Sequence, residues 1–208
     1  MSAKIFFATS NDGKLKELAS IAEEFGLSYL TPKSPEFENR GPWPEVEEKY
    51  STFFENAREK AEAWCRWSGL PTVADDSGLE VLALDGFPGV RSARWAGSGV
   101  GDLERCQLLL EKMKEEGLAE DKADRWAQFR CSLVCVYPES EGRDTLSSEG
   151  ILKGTILKEP KGSGGFGYDP IVFIDRLERT LAEIDFTETL QVGFRAKAAR
   201  ELFSQMVD

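Results

Sequence analysis

The sequence predicts an α/β fold, on three observations. Strand-patterned and helix-patterned segments alternate along the 208 residues, the composition is 41% hydrophobic and 30% charged, and no internal repeat or low-complexity linker interrupts the chain. A chain of this length can bury a sizeable core, and it can divide into two lobes.

The elements follow from the pattern. Residues 5–9 read as a short buried strand, Ser10-Asn11-Asp12-Gly13 as a turn, and Leu15, Leu18, Ile21, Ala22 and Phe25 recur at helical spacing up to Gly26. Pro32, Pro35, Pro42 and Pro44 make residues 31–44 a long loop or weak edge. Glu45-Val46-Glu47-Glu48 then leads to a helix near residues 53–67, with Phe53, Ala57, Ala61 and Trp64 on one face. Residues 71–74 enter a strand that is expected to break at Asp75-Asp76-Ser77-Gly78 and resume over 79–84. A helix is expected over 102–117, with Leu103, Leu109, Leu110 and Met113 apolar, and strands over 127–137 and 145–157. The glycine-rich loop 162–170, a strand at 171–174 and a helix from about Phe194 to Met206 complete the chain.

Composition excludes several kinds of chemistry. Histidine is absent, which removes Ser-His-Asp and Cys-His catalysis and leaves carboxylates, lysines and an oxygen-seeking metal. A net charge of -11 argues against a nucleic-acid backbone as partner, but permits a small anionic substrate countered locally. No apolar run approaches the roughly 20 residues of a membrane span, and the first residues lack a signal peptide's apolar region, so a cytoplasmic location with no membrane partner is expected. Cys65, Cys106, Cys131 and Cys135 form no CxxC pair. Cys131 and Cys135 share one face of an expected strand, where core packing explains them.

Three stretches carry candidate chemistry, each with a plainer alternative. "TSNDGK", Thr9 to Lys14, places backbone amides and a lysine at a helix start, where amides and helix dipole attract anions. A lysine there is unfavourable unless an anion lies beside it; otherwise the stretch is an ordinary turn. Glu47-Glu48 and Asp75-Asp76 supply carboxylates of the number magnesium usually takes from protein, or else a helix-start acid pair and a turn. "GSGGFGYDP" sets Phe166 and Tyr168 among glycines, which suits close approach and stacking by a ligand but also a flexible surface loop.

Together, "TSNDGKLKEL", "FFENAREKA", "VADDSGLEVLALDGFPGVRSARWAG" and "GSGGFGYDPIVF", in this order, resemble the inosine triphosphate pyrophosphatase family. The resemblance implies a magnesium-dependent hydrolase converting non-standard purine nucleoside triphosphates to monophosphate and pyrophosphate. It also implies a single elongated domain of two lobes around a long curved mixed sheet, with helices on both sides, an active cleft between the lobes, and a homodimer. Thr9, Ser10, Asn11, Asp12, Gly13 and Lys14 would cradle the triphosphate and Lys60 would reach a phosphate. Glu47 and Asp76 would hold magnesium, with Asp76 also the general base, Ser77 nearby and Asp75 in support. Phe166, Gly167, Tyr168 and Asp169 would line the base pocket, and Arg195 would contact the nucleotide.

One segment departs from the family pattern. Where the family has a lysine and a Ser-His-Arg triplet, this chain has Thr189 and Gly193-Phe194-Arg195. The missing groups are donors that read the 6-oxo group of the base, so base preference is expected to be relaxed or retargeted. Phe194 is either an apolar wall of that pocket or a core residue. Outside the enzyme class, the alternative is a nucleotide-binding module that has lost catalysis.

Overall fold

The computed structural model describes residues 4–97, 99–118 and 123–207. In chain order the strands are β1 (Lys4–Phe7), β2 (Ser28–Leu30), β3 (Thr72–Val81), β4 (Phe87–Pro88), β5 (Trp126–Val136), β6 (Leu146–Ile156), β7 (Val172–Ile174) and β8 (Arg179–Thr180). The helices are α1 (Asp12–Glu24), α2 (Phe53–Ser68), α3 (Asp102–Glu115), α4 (Phe186–Val192) and α5 (Phe194–Val207). The strands hydrogen-bond in the order β2-β1-β3-β5-β6-β7-β8, with β4 on β3. β1 pairs in parallel with β2 and β3, and the intervening helices α1 and α2 supply the crossovers that parallel pairs need, while β4, β7 and β8 pair antiparallel. The fold is mixed α/β.

Two compact units divide the chain: Met1–Asp76, Cys131–Gly150 and Phe194–Asp208 form the first, Ser77–Arg130 and Ile151–Gly193 the second. In the first unit, Phe6, Phe37, Ala57, Ala61, Trp64, Ala74 and Val134 form a core cluster, with Phe6 and Trp64 stacked at 5.5 Å. The expected α2 face of Phe53, Ala57, Ala61 and Trp64 is buried. Gly69, with φ at 73°, ends that helix in the left-handed region that favours glycine. Cys131 and Cys135 are buried in β5, and burial pushes both thiols up to about 12. Among the described residues no helix is long and apolar enough to cross a membrane.

β3 corrects the sequence reading. It runs unbroken through Asp75-Asp76-Ser77-Gly78. Gly78 is there for close approach rather than for a turn: a Cβ on it would lie 2.4 Å from the Gly89 carbonyl oxygen and from Ser92 Oγ. Ser92 Oγ in turn accepts the Leu79 N–H at 2.9 Å. Leu103, expected on the apolar side of α3, is exposed, and Cys106, Leu109 and Met113 form that helix's buried face. The strands β2, β4 and β8 and the helix α4 have no counterpart in the sequence reading.

The start of α5 is gripped by β6. Ser148 Oγ donates to the Ala198 carbonyl at 2.7 Å, and a Cβ on Gly150 would fall 1.8 Å from the Phe194 carbonyl oxygen. Because the obstacle is backbone, Gly150→Ala is expected to lower stability by about 3 kcal/mol, the upper part of the overpacking range. Chemical denaturation of the variant measures this, and an unchanged midpoint would contradict the close approach.

Candidate functional site

In the first unit, Asn11 caps α1: its side chain accepts the Lys14 N–H at 3.0 Å, while Thr9 Oγ1 accepts the Asn11 N–H at 3.2 Å. Ser10, Asn11 and Asp12 are exposed, with Thr9, Gly13 and Lys14 partly so. The anion that makes Lys14 tolerable at a helix start is within the protein, since Lys14 Nζ lies 2.7 Å from Asp75 Oδ2. On the same carboxylate, Arg195 Nε approaches to 3.6 Å, and Arg195 Nη1 donates to Glu17 Oε1 at 2.8 Å. The Arg195 side chain, which the resemblance places on the nucleotide, is 2% exposed and lies between two carboxylates of its own unit.

Burial alone would raise the Asp75 pKa, but the Lys14 ammonium, then Arg195 and Lys60, outweigh it and hold the carboxyl well below the usual range. Glu17 shifts the other way: burial pushes it up, and Arg195 only partly opposes this. Sequence reading missed Glu17. It sits on the buried side of α1, four residues before Ile21, where an acid is out of place without a partner.

Successive strand residues face opposite sides, so Asp76 meets a different helix. Its Oδ2 accepts from Asn56 Nδ2 of α2 at 3.0 Å. Asn56 is itself fixed by Tyr50, whose N–H it accepts at 2.9 Å and whose carbonyl it reaches at 3.3 Å. One turn along α2, Lys60 Nζ lies 2.6 Å from Glu48 Oε1. Burial pushes the Asp76 carboxyl up to about 6; Lys60 lowers it, the Glu48 charge raises it, and the Asn56 hydrogen bond lowers it. For Lys60, burial works against the charge, but Asp75, Glu48 and Asp76 raise its pKa overall.

Glu47, the acid matched with Asp76 from the sequence, is exposed. Residues 45–50 alternate exposed and half-buried, which turns Val46, Glu48 and Tyr50 inward, and it is Glu48 whose charge acts on Asp76. Among the described residues no group of three or more His, Cys, Asp or Glu could hold a metal ion. Two carboxylates with a lysine beside them fit a hard cation that takes its remaining ligands from water and phosphate.

In the second unit the glycine-rich loop is tightly built. Asp169 Oδ2 accepts the Phe166 N–H at 2.9 Å, and Gly165, with φ at 68°, would drive a Cβ against that carboxylate. Tyr168 is buried, its hydroxyl donating to the Ser92 carbonyl at 2.8 Å and accepting from Trp95 Nε1 at 2.6 Å. Tyr168 and Asp169 therefore shape the loop, while Phe166 and Gly167 are partly exposed, as is Ser77. Thr189 Oγ1 donates to the Asp185 carbonyl, and Gly193 N–H to the Thr189 carbonyl at 2.8 Å. A Cβ on Gly193 would lie 2.6 Å from that same oxygen. Phe194, in the first unit, is buried beside the Arg195 guanidinium, as the core reading expects.

Comparison with known proteins agrees along the whole chain. It is 39% identical over 199 residues to the dITP/XTP pyrophosphatase of Bacillus licheniformis, covering 96% of this chain and 95% of that protein. It is 41% identical over 203 residues to the dITP/XTP pyrophosphatase of Vibrio parahaemolyticus, covering 98% and 96%. Among solved structures, a Ham1 protein from Coxiella burnetii superposes with a TM-score of 0.83 at 36% identity, covering 99% of this chain and 98% of that one. The dITP/XTP pyrophosphatase from Mycobacterium abscessus gives 0.74 at 36% identity, covering 96% and 98%. The Ham1 family model matches residues 5–205, and the chain belongs to that family.

Proposed function

We propose that this protein is a magnesium-dependent nucleoside triphosphate pyrophosphatase that hydrolyses deaminated purine nucleotides, dITP and XTP, to monophosphate and pyrophosphate. Asp76 carries the reading. It is a buried carboxyl whose pKa is raised to about 6, and it lies beside a lysine, a second carboxylate and an amide that fixes its orientation. In the metal-free protein this carboxyl ionises near 6, and a magnesium ion beside it would hold it ionised, the form that can take a proton from attacking water. Lys60 and Lys14 supply fixed positive charge for phosphate oxygens, and substrate phosphate competes with Asp75 for Lys14. Asp76 and Glu48, in place of Glu47, are the residues that would hold magnesium. When bound, the ion supplies charge that stabilises the departing pyrophosphate. Water attacks phosphorus, the bond to pyrophosphate breaks, and Asp76 accepts the water's proton.

Base recognition is assigned to the loop that presents Phe166 and Gly167. A second reading, a relaxed base preference, is favoured by Phe194 and Arg195. The first is packed in the core and the second is engaged by Glu17 and Asp75, so neither replaces the family's missing donors.

Asp76→Asn is expected to reduce pyrophosphate release by at least about a hundredfold while the protein stays folded; full activity in this variant would remove Asp76 from the mechanism. The raised Asp76 pKa also sets a stability window for the metal-free protein. Ionising the buried carboxyl costs nothing below its ordinary 3.8, increasingly more as pH rises to about 6, and about 3 kcal/mol above that. Asp76→Asn is therefore expected to melt higher than the parent at pH 8 and equally at pH 3.5. Magnesium is expected to raise the melting temperature of the parent at pH 8 and of Glu47→Gln, but not of Glu48→Gln or Asp76→Asn. The reverse pattern for the two glutamates would return the metal to Glu47. Finally, a panel of triphosphates with magnesium is expected to favour the deaminated purines over ATP by at least about tenfold; equal rates would establish the relaxed preference.

A further inference from the structure

Gly167 is held at both of its polar backbone groups by one helix. Asp102, in the first turn of α3, accepts the Gly167 N–H through Oδ2 at 2.7 Å, and Cys106 Sγ donates to the Gly167 carbonyl at 3.4 Å. Asp102 is itself braced: its Oδ1 takes Arg105 Nη1 at 2.7 Å, and Arg105 Nη2 continues to the Val100 carbonyl at 2.9 Å. The Arg105 side chain is 12% exposed although the Asp102 side chain is 48% exposed, so the better-fixed partner orients the freer one. At Gly167 φ is 65° and a Cβ would meet nothing within 4 Å, so the space beside its Cα is open. The two side chains of α3 hold its peptide groups.

We infer that Asp102, braced by Arg105, is a positioning residue for nucleobase binding. With Cys106 it fixes the Gly167 peptide and thereby the presentation of the Phe166 ring, which follows Gly165 and precedes Gly167 in the loop. This rests on the assignment of Phe166 to the base. The fixed points on either side are separate: Asp169 takes the Phe166 N–H, and Tyr168 is anchored on Ser92 and Trp95. Between them, α3 holds the Gly167 peptide from outside the loop. Asp102 is given no part in the phosphate chemistry assigned to Lys14, Lys60 and Asp76, so its effect belongs in substrate affinity rather than in the chemical step.

The test uses the full chain, Asp102→Ala, Asp102→Asn, Phe166→Ala and the Asp102→Ala/Phe166→Ala pair. Amide hydrogen exchange without nucleotide should quicken over residues 165–168 in Asp102→Ala, and less in Asp102→Asn, whose amide oxygen can still accept from Gly167. With inosine triphosphate, KM should rise about tenfold in Asp102→Ala while kcat stays within about twofold, and the effect should vanish in the Phe166→Ala background. Unchanged exchange, a KM that does not move, or additivity with Phe166→Ala would overturn the inference. Pyrophosphate release by the parent chain is measured first. Its absence would overturn the enzymatic reading alone, and exchange, with nucleotide affinity measured by titration, would still decide the role of Asp102.

Discussion

A carboxylate taken out of water organises the first unit. Asp75 is buried, and an unpaired charge there would be intolerable, so Lys14 from α1 and Arg195 from α5 converge on it and Glu17 neutralises the remaining side of Arg195. Removing one partner of such a set typically costs about 3–5 kcal/mol, because the others are left buried and unmatched. The network therefore does more than join two helices to a strand. It fixes where the lysine at the helix start stands, and it takes the C-terminal arginine away from the surface.

The neighbouring carboxylate has the opposite character. Strand alternation sends Asp76 toward α2, where burial raises its pKa and Lys60, Glu48 and Asn56 surround it. Two adjacent acids are thus driven apart, one permanently ionised and the other near neutrality. In the proposed mechanism, that separation makes Asp75 the supporting charge and Asp76 the proton acceptor. It arises from sidedness, since the same two residues at a turn would both face water.

Much of this was legible in the sequence, and the failures have physical causes. α1, α2, β5, β6 and α5 were readable because their apolar residues recur with a fixed period over many residues. β2, β4 and β8 have three, two and two residues, too few for a period to register. β3 was misread because Asp-Asp-Ser-Gly suits a turn by residue type, whereas its acids are buried against cations and its glycine accommodates Ser92. The inward turn of Glu48 is legible, because Val46 and Tyr50 flank it at the period of an extended segment. Asn56 was visible too, one turn before Lys60 in "ENAREKA". Arg195 could not be placed from sequence, since nothing near it in the chain reveals that Glu17 and Asp75 meet it in space.

The contrast between Asp75, held ionised, and Asp76, whose pKa is raised, can be measured residue by residue. It is tested most directly by carbon-13 NMR titration of the aspartate carboxyls in the metal-free protein. Asp75 should show no titration down to the lowest pH at which the protein remains folded, and Asp76 should titrate near 6. An Asp76 midpoint near the ordinary 3.8, or an Asp75 that titrates in its place, would contradict the account.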